Sequence, residues 1–584
     1  MCGICGVAGS NHGAEVQTIL AAIRHRGPDS FDTFVSDDVA LGGCRLAIVR
    51  ASPAPLPVSD EQGSTRLLLN GEIYNYLEIA PELGLQGVEQ LPDPESSVLL
   101  ELIRQDGVQG LSRLKGMFAI IVTMPGIILL ARDRLGIKPL FYAALATGDV
   151  VFASELKALL TQPSVSSELD EAALEEIAVF GYINSPDRTP FRAIRQVPPG
   201  CTVEIRGGVA SSRRFAQLPL PESVARAHAE GLSESAGAVL GALRSSVATM
   251  LAHDGCEKGF HLSGGIDSSL LVALAGDGGD ARPSTFTLAD TDDSADSLAA
   301  RSVARAVGAD HHEFHVDLSD FLAELPHFVR HYESPIASDG VFGVFGGMAF
   351  HMLSRRASEH VRVGFTGEGA DELFGGYFWP YTHPLGFADS LRARSRAQGA
   401  PDAVEAELDA FFPKPEEESS YRLGAMNLLM RGGLTNLHLW SVDRSCSAFG
   451  FEIRPPYLYD DVVDLALKLS VEIKVTRTET KRVLRAAAAP VFESLGLSSH
   501  LHREKVGMPA AVDHIAAQFR DHAARLVPRE HLANHPRQGL VRSAVDAVMF
   551  DLFQLVFVQN RGVVPDGFAV DELYESGGYV DLYR

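Results

Sequence analysis

The sequence predicts two parts of different class: a mixed α+β domain dominated by antiparallel sheet to about residue 160, then a doubly wound α/β domain from about residue 235 that turns helical toward its end. Three observations carry this. The first stretch is built of short apolar runs closed by Gly, Pro and Asn; after residue 235 strand patterns alternate with helical ones; from roughly residue 400 the spacing is mostly helical. A chain of 584 residues also exceeds what a single hydrophobic core organises.

In the first part TRLLLNGEIYNY, GMFAIIVTM, GIILLARDRLG and GDVVFASE read as strands, and VLLELIRQDG and ELKALL as helices. Residues 161–230 are rich in Pro and Ser (TQPSVSSELD, INSPDRTPFRAIRQVPPG) and read as a linker. The second part opens with the helical pattern ESAGAVLGALRSSVATML. KGFHLSGGIDSSLLVALAG then reads as strand, Gly-rich loop and helix, and HVRVGFTGEGADELFGGY repeats that order. The expected divisions are 2–210, with the linker included, 235–520, and a helical extension 521–584.

Composition narrows the function. With 51 basic against 75 acidic residues and a net charge of −24, nucleic acid and anionic membrane are disfavoured as partners. Six scattered cysteines make no disulfide scaffold, and the N-terminus lacks the basic and apolar regions of a signal peptide. No continuous apolar run reaches the ~18 residues that span a bilayer. A cytoplasmic protein with small-molecule substrates is expected.

Two loops carry the nucleotide chemistry. Ser263-Gly264-Gly265-Ile266-Asp267-Ser268-Ser269 stands between an apolar strand and an apolar helix, so backbone N–H groups, hydroxyls and a helix N-terminus converge on a pyrophosphate-sized site. It lacks the spacing and the Lys of a Walker A loop. Thr366-Gly367-Glu368-Gly369-Ala370-Asp371-Glu372 gathers three carboxylates in five positions. Charges so close need a cation or a basic group to offset them, and a Mg²⁺–ATP site between the loops explains both, with Asp267 beside the phosphates as a metal ligand. A Ser-capped turn and an exposed acidic turn are the structural alternatives.

The chain begins MCGICG. Cys2 and Cys5 could form a redox pair or half of a metal site, or Cys2 could act as an N-terminal nucleophile once Met1 is removed. A redox C-x-x-C needs a helix N-terminus and zinc needs two more ligands, and neither is visible. His311, His312 and His315 fit no strong zinc pattern and read as structural.

Together SGGIDSS and TGEGADELFGGY resemble the synthetase half of the glutamine-dependent asparagine synthetases. MCGICG, RHRGPD (24–29), RLAIV (45–49), NGEIYN (70–75) and RDRLGIKPLFY (132–142) resemble their glutaminase half. Further matches are Asp443-Arg444, FEIRPPYL (451–458) and KRVLR (481–485). The resemblance implies an N-terminal-nucleophile glutaminase domain, an αββα sandwich, followed by an ATP-pyrophosphatase domain. It implies glutamine hydrolysis at Cys2, activation of a carboxylate as its acyl-adenylate, and amidation by the released ammonia, in a homodimer.

Residue by residue, the resemblance makes Cys2 the nucleophile with its own α-amine as base. Asn70 and Gly71 become the oxyanion hole. Arg45 becomes the grip on the glutamine carboxylate, and Glu72 and Glu95 further glutamine contacts. Asp93 competes with Glu95 for the glutamine amino group; ungapped counting favours Glu95. Leu262, Leu288, Thr366 and Gly367 match nucleotide contacts beside Ser263, Gly264, Gly265 and Ser268. Glu368 matches the acid needed for adenylation, Asp267 and Asp371 match Mg²⁺ ligands, and Lys481 matches the lysine that neutralises charge on phosphate.

Two departures concern the acceptor. Glu333-Ser334-Pro335-Ile336-Ala337-Ser338-Asp339 and the following GVFGVFGGMAF are longer and more apolar than in relatives, and Tyr459 stands where relatives carry Asp. Aspartate is the default acceptor; another carboxylate, or an intramolecular ligase like the β-lactam synthetases, are the alternatives.

Overall fold

The computed structural model describes residues 2–9, 12–48, 55–220, 231–277, 282–291, 293–335, 343–399, 402–414, 417–503 and 511–583. Met1, Ile336 to Asp339 and the start of GVFGVFGGMAF lie outside them.

The first part stacks two six-stranded antiparallel sheets. One runs, in spatial order, Arg195–Gln196, Phe141–Ala144, Val150–Ala153, Cys2–Ala8, Val39–Arg45, Ser30–Val35. The other runs Val209–Arg214, Cys201–Arg206, Ile127–Arg132, Gly116–Met124, Arg66–Ile73, Val58–Ser59. Side chains alternate along a strand, so each sheet has two apolar faces to cover. Ile4, Leu41 and Phe152 meet Leu68, Ile121 and Leu130 between the sheets. Cys5, Val7 and Cys44 turn outward against Val16, Ile19 and Leu20 of the helix Gly13–Ala22. Leu67, Ile120 and Val122 turn outward against Leu99, Leu102 and Ile103 of the helix Pro94–Asp106. The layers are αββα, as expected.

The linker reading of 161–230 is corrected over its described part. The helix Glu171–Phe180 is capped by Asp170, whose carboxylate accepts the Ala172 and Ala173 N–H groups. Cys201–Arg206 and Val209–Arg214 form a hairpin that extends the second sheet. Its two-residue turn is Gly207-Gly208, both at positive φ (54° and 78°), which only glycine adopts readily. The expected boundary at 210 therefore cuts a hairpin.

The second part centres on a five-stranded parallel sheet in the order Asp310–His315, Ser284–Ala289, Lys258–His261, Val363–Phe365, Glu452–Arg454. The chain leaves the central strand Lys258–His261 in one direction and returns on its other side. The topological switch point thus lies beside that strand, where open α/β sheets bind ligands. Glu452–Arg454 is a short strand within the mostly helical stretch beyond 400.

The division at 520/521 falls inside the helix Asp513–Leu526, whose Ile515, Phe519 and Ala523 are buried. The terminal segment packs back on the first part: Phe553 stacks on Phe191, and Arg561 donates to the carbonyls of Leu160, Gln162 and Val165. The helix Leu232–Ala252 is long and apolar enough in composition to cross a membrane. Its Val239, Leu243, Val247 and Met250 face the core instead.

The two parts meet along a buried ionic seam. Arg26 donates to the Cys2 carbonyl (3.2 Å), to Glu155 (2.8 Å) and to Asp443 (3.1 Å). Glu333 accepts the N–H groups of Leu156 and Lys157 (3.0 and 2.8 Å) and pairs with Lys157 and Arg444 (both 3.3 Å). Glu333 thus fastens the domains together.

Candidate active sites

In the first site, antiparallel pairing sets Cys2 directly opposite Arg45. The Cys2 N–H donates to Asn70 Oδ1 at 3.0 Å, and the buried Asn70 Nδ2 has no hydrogen-bond partner among the described residues. Such an orphaned donor costs free energy unless a ligand satisfies it. It belongs to the residue that holds the Cys2 backbone, where an oxyanion hole would need a donor. Burial pushes the Cys2 thiol up, against the pull of Arg45 and of a hydrogen bond from the Leu46 backbone, so a base must take its proton.

Gly71 sits at φ 139°, and a Cβ there would lie 1.9 Å from the Met117 carbonyl oxygen. Gly71→Ala is expected to cost more than about 1 kcal/mol of stability, read from the denaturant midpoint, and to lower glutamate release.

The pocket around Cys2 is lined by Arg45, Gly71, Glu72, Asp93 and Glu95 among others. Arg45 Nη2 donates to Asp93 Oδ2 at 2.6 Å. A zwitterion is complementary to that pair, its carboxylate to the guanidinium and its ammonium to Asp93. Glu95 is already engaged: one carboxylate oxygen accepts the Ile73 N–H (2.7 Å), and the other lies 3.0 Å from His253 Nε2. Burial and the neighbouring Glu72 raise Glu95 to about 7. Asp93 thus faces Arg45, while both oxygens of Glu95, the residue that ungapped counting prefers, are held by Ile73 and His253.

The second site is a cleft at the switch point. The strand Lys258–His261 delivers Leu262, Ser263 and Gly265, and the helix Ile266–Gly276 presents Asp267 and Ser268 at its N-terminus. Leu288 follows from the next strand, and Thr366, Gly367, Glu368 and Asp371 follow from Val363–Phe365. Gly264 does not line the cleft; at φ 70° it turns the loop against Ala299. The two loops touch, because a Cβ on Gly367 would come within 2.9 Å of Asp267 Cβ.

Lys481, only 2% exposed, ties both loops together: its ammonium pairs with Asp267 and, at 2.7 Å, with Asp371. Burial pushes that ammonium down, against the pull of Asp267. Two hard carboxylates converging on one cation fit Mg²⁺ by donor type. Thr480, Arg485 and Arg503 complete this end of the cleft.

Other residues here escaped the sequence reading. His438, from the π-helical stretch Leu429–Leu439, lies 3.4 Å from Glu368 and 2.9 Å from the Tyr377 hydroxyl. Burial pushes the imidazole down, but Glu372 and Glu368 prevail and raise it. His261 closes the central strand with its ring against Phe350 (4.9 Å) and Phe451 (5.9 Å). Among the described residues neither of its ring nitrogens has a hydrogen-bond partner, and burial pushes it to about 3, so it is neutral. Sequence signalled neither; a lone His in an apolar strand reads as core. Lys481 stands at φ 54° as the N-cap of the helix Arg482–Ser494, and Arg485 follows in that helix's first turn.

Comparison with known proteins agrees with these two sites. The glutamine amidotransferase domain family matches residues 1–216, and the asparagine synthase family matches residues 238–555. Asparagine synthetase [glutamine-hydrolyzing] 1 of Bacillus subtilis is 28% identical over 88% of this chain and 88% of its own length. A Mycobacterium tuberculosis protein described as a candidate enzyme of the same name is 30% identical over 88% of this chain and 86% of its own. The Arabidopsis thaliana asparagine synthetase 1 is 26% identical over 98% of this chain and 89% of its own. With one family spanning more than half of its length and relatives matching nearly end to end, the chain belongs to the glutamine-hydrolysing asparagine synthetase family.

Proposed function

We propose that this ATP-dependent, glutamine-hydrolysing ligase releases ammonia at Cys2 and uses it to amidate a carboxylate activated at the cleft beside Glu368. The observation that carries the reading is the orphaned Asn70 Nδ2 next to Cys2, in the same chain as two carboxylate-bearing loops held on Lys481. An intramolecular ligase has no use for the first of these.

With Met1 removed, the Cys2 nitrogen becomes an amine that takes the thiol proton. The thiolate attacks the glutamine amide carbon, and Asn70 Nδ2 with the Gly71 N–H holds the oxyanion. Ammonia leaves a thioester at Cys2, which water hydrolyses to glutamate. Arg45 and Asp93 hold the amino-acid end. At the cleft the acceptor carboxylate attacks the α-phosphorus of ATP and pyrophosphate departs. Ammonia then displaces AMP from the acyl-adenylate. Asp267 and Asp371 would hold Mg²⁺, which neutralises phosphate charge when bound. Lys481 opposes the charge that builds on phosphate, and His438 orients Glu368.

Aspartate is the default acceptor. A second reading, another carboxylate, is favoured by the wall of the cleft formed by neutral His261, Phe350 and Leu353. The cations lining the cleft, Lys481, Arg485 and Arg503, come from the C-terminal part, and Arg503 pairs with Asp296. A carboxylate screen with ATP, Mg²⁺ and glutamine, following pyrophosphate and glutamate together, tests this. Robust turnover of aspartate establishes the default; pyrophosphate release only with another acid removes it.

A further inference from the structure

We propose that His253, carried by the synthetase half, is a positioning residue of the glutaminase pocket, and that Arg454 extends its hold to the strand behind the nucleotide loop. The inference rests on the reading of Cys2 as nucleophile and of the Thr366 loop as part of the ATP site.

His253 follows the helix Leu232–Ala252, and its side chain is 4% exposed. Its Nε2 lies 2.8 Å from Glu72 Oε2 and 3.0 Å from Glu95 Oε1. One ring N–H thus joins two carboxylates from different elements, the strand Arg66–Ile73 and the helix Pro94–Asp106. The other Glu95 oxygen accepts the Ile73 N–H. The segment Asn70-Gly71-Glu72-Ile73, which carries the oxyanion donor, is therefore clasped from the synthetase side. These are hydrogen-bond lengths, and Arg454 Nη2, 3.6 Å from Glu72 Oε1, adds a second positive charge, so the cluster needs no metal ion.

Arg454 is fully buried. It donates to the Met250 carbonyl at the end of the helix that carries His253 (2.9 Å), and pairs with Asp254 (2.6 Å) and Glu452 (2.9 Å). Its own carbonyl accepts the Thr366 N–H at 3.1 Å. Contacts are continuous from Glu95 to the loop holding Gly367 and Glu368. Such a chain transmits a shift at one end to the other if both ends bias the same arrangement.

Facing His253 are Glu72, Glu95, Tyr74 (ring centroids 5.0 Å apart), Tyr76 (6.0 Å) and Arg454; Asp254 next to it is paired with Lys258. Burial pushes the imidazole down, but the two carboxylates prevail and raise it to about 10. A raised value contributes stability in full below the ordinary 6.5 and loses it as pH climbs through about 10.

The test uses the full-length protein, wild type and His253→Ala. Glutamate release is measured over a glutamine series with and without ATP and Mg²⁺. Ammonia-driven synthesis is followed in parallel with an acceptor taken from the carboxylate screen. In the variant kcat/KM for glutamine is expected to fall about tenfold, chiefly through KM, while ammonia-driven synthesis stays within about twofold. Stimulation of glutamate release by ATP is expected in the wild type and lost in the variant. The Tm gap between the two proteins is expected to close between pH 6.5 and about 10. An unchanged kcat/KM, or equal loss of glutamine- and ammonia-driven synthesis, overturns the positioning role. Wild-type glutamate release indifferent to ATP overturns the extension through Arg454. Glutamate release surviving in Cys2→Ala strikes instead at the nucleophile assignment, so the two failures are distinguishable.

Discussion

Cys2→Ala is expected to abolish glutamine-dependent synthesis and glutamate release by on the order of a thousandfold or more, while ammonia-dependent synthesis continues near the wild-type rate. The reason is spatial. The thiol is the reacting atom of the first site only, and the cleft that activates the carboxylate draws its residues from 261 onward. The side chain is small and stands at the start of a strand, so its loss leaves the sheet intact. Parallel assays with glutamine and with ammonium salts check the expectation. Equal loss in both would mean that the two sites do not divide the labour as described. Intact mass adds an independent check, because an active protein that retains Met1 has no free amine at Cys2.

Lys481→Met is expected to give the opposite pattern: pyrophosphate release and synthesis from either nitrogen source fall by about a hundredfold or more, and glutamate release persists. Lys481 is the point where the two loops meet. Its removal leaves Asp267 and Asp371 facing each other without their common cation, and like charges so placed repel. A hard dication relieves that repulsion in the variant. Mg²⁺ should therefore raise the Tm of Lys481→Met more than it raises that of the wild type, which a thermal melt with and without chelator measures. A variant that keeps its synthetase rate would remove Lys481 from the chemistry and leave it a structural clasp.

Much of this was legible in the sequence, for reasons that differ by residue. Cys2, Arg45, Asn70 and Gly71 lie in short motifs on strands of the two sheets, and Cys2 and Arg45 are direct partners in the register. The loops 263–269 and 366–372 were legible because Gly, Ser and clustered acids between apolar runs have few structural uses. Residues 161–220 were misread because Pro and Ser content outweighed short strands whose pairing is long-range, with Thr202 opposite Ala131. Glu452–Arg454 is three residues long, too short for any periodicity. Choosing between Asp93 and Glu95 needed side-chain directions, and those depended on His253, some 160 residues away in sequence. His253 itself gave no signal, since one histidine after an amphipathic helix is unremarkable until the other domain packs on it.

The bare nitrogens of His261 have a bearing on selectivity. A neutral imidazole packed against two phenyl rings offers little attraction to an anion. Both its nitrogens are shut off from solvent and unbonded among the described residues, so the free protein already bears about 1–3 kcal/mol for each unmet group. Turning the ring toward the cleft would relieve that cost, and a ligand atom able to take or give its hydrogen bond would gain from the turn where a hydrocarbon would not. The penalty is carried before any acceptor arrives, and its release would be open only to an acceptor with a matching polar atom.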